Sequence, residues 1–269
     1  MPFTKVCMSG LTATGLTTLA TILAERHRLF YVSASNALLD ATQQDHGCAD
    51  RSPDGYAQYF WGNRKAQSLY WAIFNRRAAN VSTDQAIDEL LLAELAVPRS
   101  SLIESLTSSL LAPLNNSAFH ILLIAPIAER VRRVSLQLPM IPLVKLTKMV
   151  HSKDFRTRAI ILRVWKVDLI SESNRPCYDL VLDDSGFMKI FGGFGDREKE
   201  VFTKTEVCTA FIEMYSLIVG GQASVEEFNK TAARCRQVLL RFGPIVQVFP
   251  SVFLHPEQAM NLTWSHRHG

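Results

Sequence analysis

The chain carries the residues of a phosphate-binding loop close to its start. Gly10 and Gly15 are separated by four residues, and Thr17 follows two positions later. Glycines at this spacing let the backbone turn so that successive N–H groups point at phosphate oxygens, and the following helix adds its positive end. A hydroxyl at the Thr17 position binds Mg²⁺ in such loops. The predicted phosphate-contacting residues here are Gly10, Thr12, Gly15, Leu16, Thr17 and Thr18.

One position departs from this pattern, because leucine stands at residue 16 where such loops have lysine. That lysine places positive charge on the β- and γ-phosphates during phosphoryl transfer. Stabilisers of this kind contribute roughly 3–4 kcal/mol, so the loss predicts on the order of a hundredfold to a thousandfold slower chemistry unless another cation substitutes. Binding of phosphate can survive the loss. Taken alone, the Gly-x-x-x-x-Gly turn is equally compatible with a plain connection between a strand and a helix.

Composition indicates a globular protein with a sizeable core. The chain has 269 residues, of which 48% are hydrophobic, and a net charge of +4 that favours no particular polyanionic partner. The five scattered cysteines lack metal-type spacing and are expected to be reduced. The sequence shows neither a leader nor a run of about 18 apolar residues, which predicts a soluble intracellular protein with no membrane contact. No zinc site or nucleic-acid partner is predicted.

Strand and helix signals alternate along the first part of the chain, as in doubly wound α/β folds. The pattern predicts a five-stranded parallel sheet with helices on both faces. The predicted strands are Val6–Met8, Leu29–Val32, Ser101–Glu104, His120–Ala125 and Tyr178–Asp183. Helices are expected from Thr18 to Arg26 and after Pro126.

The last part of the chain predicts a helical and extended addition. Lys204–Val219 has helical periodicity, and Ser224 with Glu227 forms a capping box that starts a second helix ending near Arg241. An apolar extended segment, Ile245–Leu254, follows. Residues 186–269 are therefore expected to pack on the first domain or to dock a protein partner.

The order of motifs in residues 3 to 185 resembles the cytidylate kinase-like family of P-loop nucleoside monophosphate kinases. The motifs after the loop are Tyr31-Val-Ser33, Ile121-x-Leu123-x-Ala125-Pro126, Arg130-x-x-Arg133, Lys153-Asp154-x-x-Thr157-Arg158, Val167-Asp168-Leu169 and Tyr178-Asp-Leu-Val-x-Asp183. The resemblance implies a kinase-like domain over residues 1–185, in which residues 40–100 form an acceptor-binding lobe and residues 136–170 a lid-like segment.

The resemblance also implies a site for ATP and Mg²⁺, if nucleotide binding is retained. Arg130 and Arg133 would join the loop in binding the nucleotide. The catalytic positions in the lid would be Lys153, Asp154, Arg156 and Arg158. Thr17 and Glu104 are the candidate metal ligands, because Glu104 ends a strand at the sheet edge where ligands bind. Arginines at such spacing also occur on solvated helix faces, and an acid at a strand end can simply cap a helix.

Two departures from the family pattern decide between functions. Leu16 replaces the loop lysine, and Leu38 and Leu39 stand where the family carries an arginine for the acceptor phosphate. Losses at both phosphates favour a degenerate protein kept for nucleotide or phosphate binding, or as a structural or regulatory component of an assembly. The alternative is an active nucleoside monophosphate kinase in which Lys153, Arg156 or Arg158 replaces the lost lysine.

Overall fold

The structure is a computed structural model, and it describes residues 4–37, 75, 77, 82–108, 118–168, 170–186, 197–220, 224–243 and 246–248. Leu38, Leu39 and most of the predicted acceptor-binding lobe lie outside these ranges.

The described part of the chain forms one six-stranded sheet in the order β2-β3-β1-β4-β5-β6. Its strands are β1 (Lys5–Gly10), β2 (Phe30–Ser33), β3 (Ser101–Glu104), β4 (Ala118–Ile124), β5 (Leu180–Asp183) and β6 (Val246–Val248). The first five are parallel, which confirms the predicted α/β fold. The expected count of five is wrong, because β6 pairs antiparallel with β5. The sequence pattern of a three-residue strand is too short to predict which strand it pairs with. In the structure β6 covers an edge that β5 would otherwise expose.

Alternate residues of the central strand β1 face two separate apolar cores. Val6 and Met8 belong to a cluster on one face, whereas Cys7 belongs to another cluster on the opposite face. All six residues of β1 are buried, as expected of a central parallel strand covered on both sides. The predicted helices on both faces are therefore present.

Six α-helices of eleven residues or more lie in the part of the chain that the structure describes. They are α1 (Leu16–His27), α2 (Ser82–Ala96), α3 (Ile127–Gln137), α4 (Leu143–Trp165), α5 (Arg197–Gly220) and α6 (Val225–Phe242), with α3 and α4 forming a hairpin.

 None of the described helices is long and apolar enough to cross a membrane.

The C-terminal addition shares its core with the loop region. Val207 and Phe211 of α5 are buried in the same cluster as Leu19 and Leu23 of α1. Helix α6 starts at the predicted capping box, in which the Glu227 N–H donates to Ser224 Oγ at 3.2 Å. Because α5 packs directly on the helix that follows the phosphate-binding loop, its side chains can reach the loop.

Helix α4 lies within residues 136–170, for which a lid-like segment is predicted, and it packs against α3. Their contact is apolar and is made by Val131, Val134, Leu146, Val150 and Ile160. Pro126 and Pro142 precede the two helices, where a fixed φ suits the start of a helix and no side-chain cap is present. The hairpin lies next to the loop because α3 follows β4, which pairs with β1 along its whole length.

Replacing a core residue of α5 tests whether the addition and the kinase-like part form one folding unit. Phe211 is 2% exposed, so we expect Phe211→Ala to lower the free energy of unfolding by about 3–5 kcal/mol. Phe202→Ala on the same helix is the control, because Phe202 is 66% exposed and its loss should change stability by less than about 0.5 kcal/mol. Urea unfolding followed by circular dichroism measures both. Equally small effects would contradict a shared core.

Candidate phosphate-binding site

The loop between β1 and α1 has the backbone shape that binds anions. Ala13 and Gly15 adopt left-handed conformations, with φ of 63° and 83°. Gly15 caps α1 without any side-chain hydrogen bond, so the first N–H groups of the helix are available to a ligand. A Cβ on Gly10 would lie 2.7 Å from Thr14 Oγ1, which explains the glycine at this position. The loop is thus a concave set of backbone donors at a helix N-terminus.

Leu16 is the first residue of α1, and its side chain belongs to the apolar core. It is 9% exposed and lies in the cluster that contains Leu19 and Ala20. The position that holds a lysine in other such loops is therefore filled by a packed hydrocarbon. Any cation that acts on a bound phosphate has to come from another element.

The two predicted metal ligands lie next to each other. Thr17 Oγ1 donates a hydrogen bond of 2.8 Å to Glu104 Oε1, and the Tyr31 hydroxyl donates to Oε2 of the same carboxylate. Burial raises the pKa of Glu104, and the hydrogen bonds from Tyr31 and Thr17 oppose this shift. Burial also raises the pKa of Tyr31, so its hydroxyl stays protonated as the donor.

The Thr17 hydroxyl and the Glu104 carboxylate suit Mg²⁺, and they are too few for a metal that protein side chains alone coordinate. Mg²⁺ is usually held by one or two protein oxygens together with substrate phosphates and water. Within the described residues, no group of three or more His, Cys, Asp or Glu side chains could hold a metal ion. Thr17 and Glu104 would accordingly contribute to a metal site that a bound phosphate completes.

Lys153 of α4 brings an amine to the cavity that the loop borders. Burial lowers the pKa of Lys153 to about 8, while the charges of Asp154 and Glu104 act in the opposite direction. This is one of the lid residues predicted from the sequence, and it reaches the side of the cavity where Glu104 lies. A protonated Lys153 has the positive charge that Leu16 lacks.

Arg130 and Asp154 fasten the loop to the hairpin. Arg130 donates to the carbonyl oxygens of Ala125 and Thr12, each at 3.0 Å, and pairs with Asp154. The Thr12 N–H donates to Asp154 Oδ1 at 3.3 Å. Both side chains are almost fully buried. The structure thus places them in a brace behind the loop, with their charges directed at each other.

Arg133 connects the loop to two acids. Its Nη1 donates to the carbonyl oxygen of Thr14 at 2.8 Å. Its Nη2 contacts Asp184 Oδ2 at 2.7 Å and Glu200 Oε1 at 2.5 Å. Lys204 Nζ contacts the same two acids, each at 2.7 Å. Burial raises the pKa of Asp184, and the charges of Lys204 and Arg133 oppose the shift.

Glu200 and Lys204 were not predicted as site residues. They are four residues apart on α5, and this spacing is common for ion pairs on exposed helix faces. Only the packing of α5 against α1 brings them to the loop. Lys204 lies in a predicted helix that sequence patterns could not assign to the site.

Two predicted lid cations lie elsewhere. Arg158 pairs with Asp168, with Nε 3.2 Å from Oδ1, and both side chains are partly exposed. Arg156 Nη1 donates to Asn75 Oδ1 at 3.4 Å on the surface. Neither arginine is among the described residues that line the cavity. Their catalytic role stays a prediction that this arrangement does not support.

The cavity beside the loop has a volume of about 290 Å³. Among the described residues, its lining has four cations and four carboxylates. They are Arg77, Arg133, Lys153 and Lys204 with Asp84, Asp88, Glu104 and Glu200. A fully ionised lining of this kind has no net charge, so it attracts a polyanion less than a cation-rich loop would.

Two acids of α2, Asp84 and Asp88, also line the cavity. Arg77 Nε donates to Asp84 Oδ1 at 2.9 Å, and Thr107 Oγ1 donates to Asp88 Oδ1 at 2.9 Å. Burial raises the pKa of Asp88 to about 6, and the Thr107 hydrogen bond opposes this. The lining therefore includes the backbone of the loop as well as hydrogen-bonded acids.

The chain is similar to one family of known proteins and, to differing degrees, to solved structures. A family model described as the cytidylate kinase-like family matches residues 5–186. No curated protein matches the sequence. An uncharacterized protein from Eubacterium ventriosum ATCC 27560 aligns with a TM-score of 0.50 and 14% identity, over 78% of this chain and 98% of its own. A gluconokinase from Sinorhizobium meliloti 1021 aligns with a TM-score of 0.34 and 12% identity, over 68% of this chain and 84% of its own.

The brace between Arg130 and Asp154 should be important for folding. We expect Asp154→Asn to lower the free energy of unfolding by about 3–5 kcal/mol, because a buried guanidinium loses its charged partner. Asp168→Asn breaks a more exposed pair and should cost less than about 1 kcal/mol. Chemical denaturation of both variants measures the difference. A loss below about 1 kcal/mol in Asp154→Asn as well would show that the brace is not needed for stability.

Proposed function

The chain belongs to the cytidylate kinase-like family, and we propose that it binds a nucleotide or another phosphorylated ligand without efficient phosphoryl transfer. The observation that carries this proposal is the contrast at the loop. The backbone keeps its left-handed turns and the open N-terminus of α1, whereas Leu16 is packed in the core. Backbone donors support binding, but the charge needed in the transition state is missing at this position.

The charges around the loop support the same proposal. Arg130 and Arg133 already have carbonyl and carboxylate partners. Moving the Arg130 guanidinium to a phosphate would separate it from the buried carboxylate of Asp154, which costs free energy. A site that has to break such pairs can bind a phosphate, but it is poorly prepared for the charge that develops during transfer.

The proposed ligands are ATP and Mg²⁺, as membership of the family suggests. When bound, they would supply a transferable phosphoryl group and a metal that neutralises its charge. The N–H groups of the loop would hold the phosphates, while Thr17 and Glu104 would hold the metal. Arg130 and Asp154 would keep the loop in shape from behind.

An active nucleoside monophosphate kinase is the second candidate, because Lys153 is placed to compensate for Leu16. Lys153 lines the cavity and interacts with Glu104, beside the predicted metal position. A protonated Lys153 could stabilise the phosphates in place of the loop lysine. The two candidates therefore differ in what happens to transfer when Lys153 is removed.

Binding and transfer can be measured separately. We expect ATP with Mg²⁺ to raise the melting temperature of the wild-type protein, since a ligand at a hundred times its dissociation constant stabilises by about 2.7 kcal/mol. Transfer from ATP to CMP and other nucleoside monophosphates should remain at background. Leu16→Lys should raise transfer by about a hundredfold if the acceptor side is competent.

Comparing phosphoryl transfer by the wild type and by Lys153→Met distinguishes the two candidates. Lys148→Met is the control, because Lys148 is exposed and lies on the same helix. Wild-type transfer that is lost only in Lys153→Met would establish the second candidate. Absence of any thermal shift with millimolar ATP would overturn the binding proposal.

Binding should also depend on pH through Lys153. Its pKa of about 8 in the folded protein means that the ammonium loses its charge as the pH rises from 7 to 9. We expect ATP affinity to fall over this range, because the neutral amine no longer attracts phosphate. Lys153→Arg keeps its charge and should flatten the profile. Calorimetric titration at constant ionic strength tests this, and an identical pH profile in both proteins would contradict the assignment.

A further inference from the structure

Helix α5 places Glu200 and Lys204 beside the loop, although this helix lies outside the segment that matches the family model. The family model ends at residue 186, whereas Glu200 and Lys204 lie on α5. Both line the cavity together with Leu16 and Gly15. The addition therefore forms part of the wall of the proposed phosphate site.

Arg133 of α3 and Lys204 of α5 both contact one oxygen atom of Glu200. Arg133 Nη2 lies 2.5 Å from Glu200 Oε1, and Lys204 Nζ lies 2.7 Å from the same atom. Arg133 Nη1 is meanwhile bonded to the Thr14 carbonyl, and it would lie 3.9 Å from a Cβ on Gly15. A negatively charged oxygen is thus held between two cations directly beside the phosphate-binding loop.

The two acids of the cluster differ in accessibility. The Asp184 side chain is 2% exposed and does not line the cavity, so it is the fixed counterion of both cations. The Glu200 side chain is 15% exposed, lines the cavity and lies in the first turn of α5. A ligand can therefore replace Glu200 without disturbing Asp184.

We propose that Arg133 and Lys204 form the receptor for the terminal phosphate of the ligand, and that Glu200 occupies this receptor until the ligand displaces it. The inference rests on the proposed function, since it identifies the cations of the same site. Lys204 then supplies, from α5, the positive charge that Leu16 does not. A phosphate oxygen takes the place of Glu200 Oε1 and accepts the same two charge-assisted hydrogen bonds.

This arrangement makes binding a competition between two anions. The internal carboxylate neutralises the receptor in the free protein, and a ligand has to outcompete it. Affinity for a phosphate chain is therefore lower than the cations alone would give. Removing the charge of Glu200 should raise the affinity for a phosphate chain.

Inorganic tripolyphosphate is the probe, because it has a phosphate chain but no base or sugar. Calorimetric titration at about 0.1 M salt keeps the screening of charges constant. We expect Glu200→Gln to tighten binding by about tenfold or more, and Lys204→Met to weaken it by about ten- to a hundredfold, as for the loss of a hydrogen bond to a charged group. Lys204→Arg should retain most of the affinity.

Glu198→Gln and Lys230→Met are the matched controls, because both residues are exposed and lie on α5 and α6. Neither control should change the affinity. The gain in Glu200→Gln cannot arise from misfolding, and circular dichroism checks that Lys204→Met remains folded. Unchanged affinity in both Glu200→Gln and Lys204→Met would overturn the inference.

The same titrations with ATP and Mg²⁺ separate this inference from the proposed function. If the wild type binds ATP and neither Glu200→Gln nor Lys204→Met alters its affinity for either ligand, the inference falls and the proposed function stands. If only Glu200→Gln binds, the inference is upheld, and the proposal that the unmodified protein binds a phosphorylated ligand falls. If no variant binds either ligand, both are overturned.

Discussion

The guanidinium of Arg133 connects the parts of the molecule that meet at the loop. It bonds to the Thr14 carbonyl, to Asp184 after β5 and to Glu200 on α5. A charge this far removed from water is tolerated only when its hydrogen bonds are satisfied. The loop, the end of the sheet and the C-terminal addition therefore have to keep their relative positions, and the shape of the cavity depends on this one set of contacts.

A second set of buried charges holds the loop from the side of the hairpin. Arg130 and Asp154 bond to each other and to the backbone of Thr12. A lid that closes over a ligand would have to move relative to this anchor. The contact therefore links α4 directly to the backbone of the loop.

The proposal of binding without efficient phosphoryl transfer depends on the charge balance of this cavity. Catalysis requires preorganised positive charge where negative charge develops, whereas the cations around this loop already face carboxylates. Leu16 adds packing to the core at the position where a transferring enzyme has its mobile cation. The loop backbone and the strand that precedes it are independent of this change, so phosphate binding and phosphoryl transfer can be lost separately.

The sequence by itself determined the five parallel strands, the loop and the capping box at Ser224, because these depend on local pattern and backbone conformation. It also singled out Thr17 and Glu104, whose positions follow from the order of the strands. Tertiary structure alone decided that Lys204 lies at the loop and that Arg158 does not. Helical periodicity gives the face on which a charged residue lies, but the partner of that face is set by long-range packing.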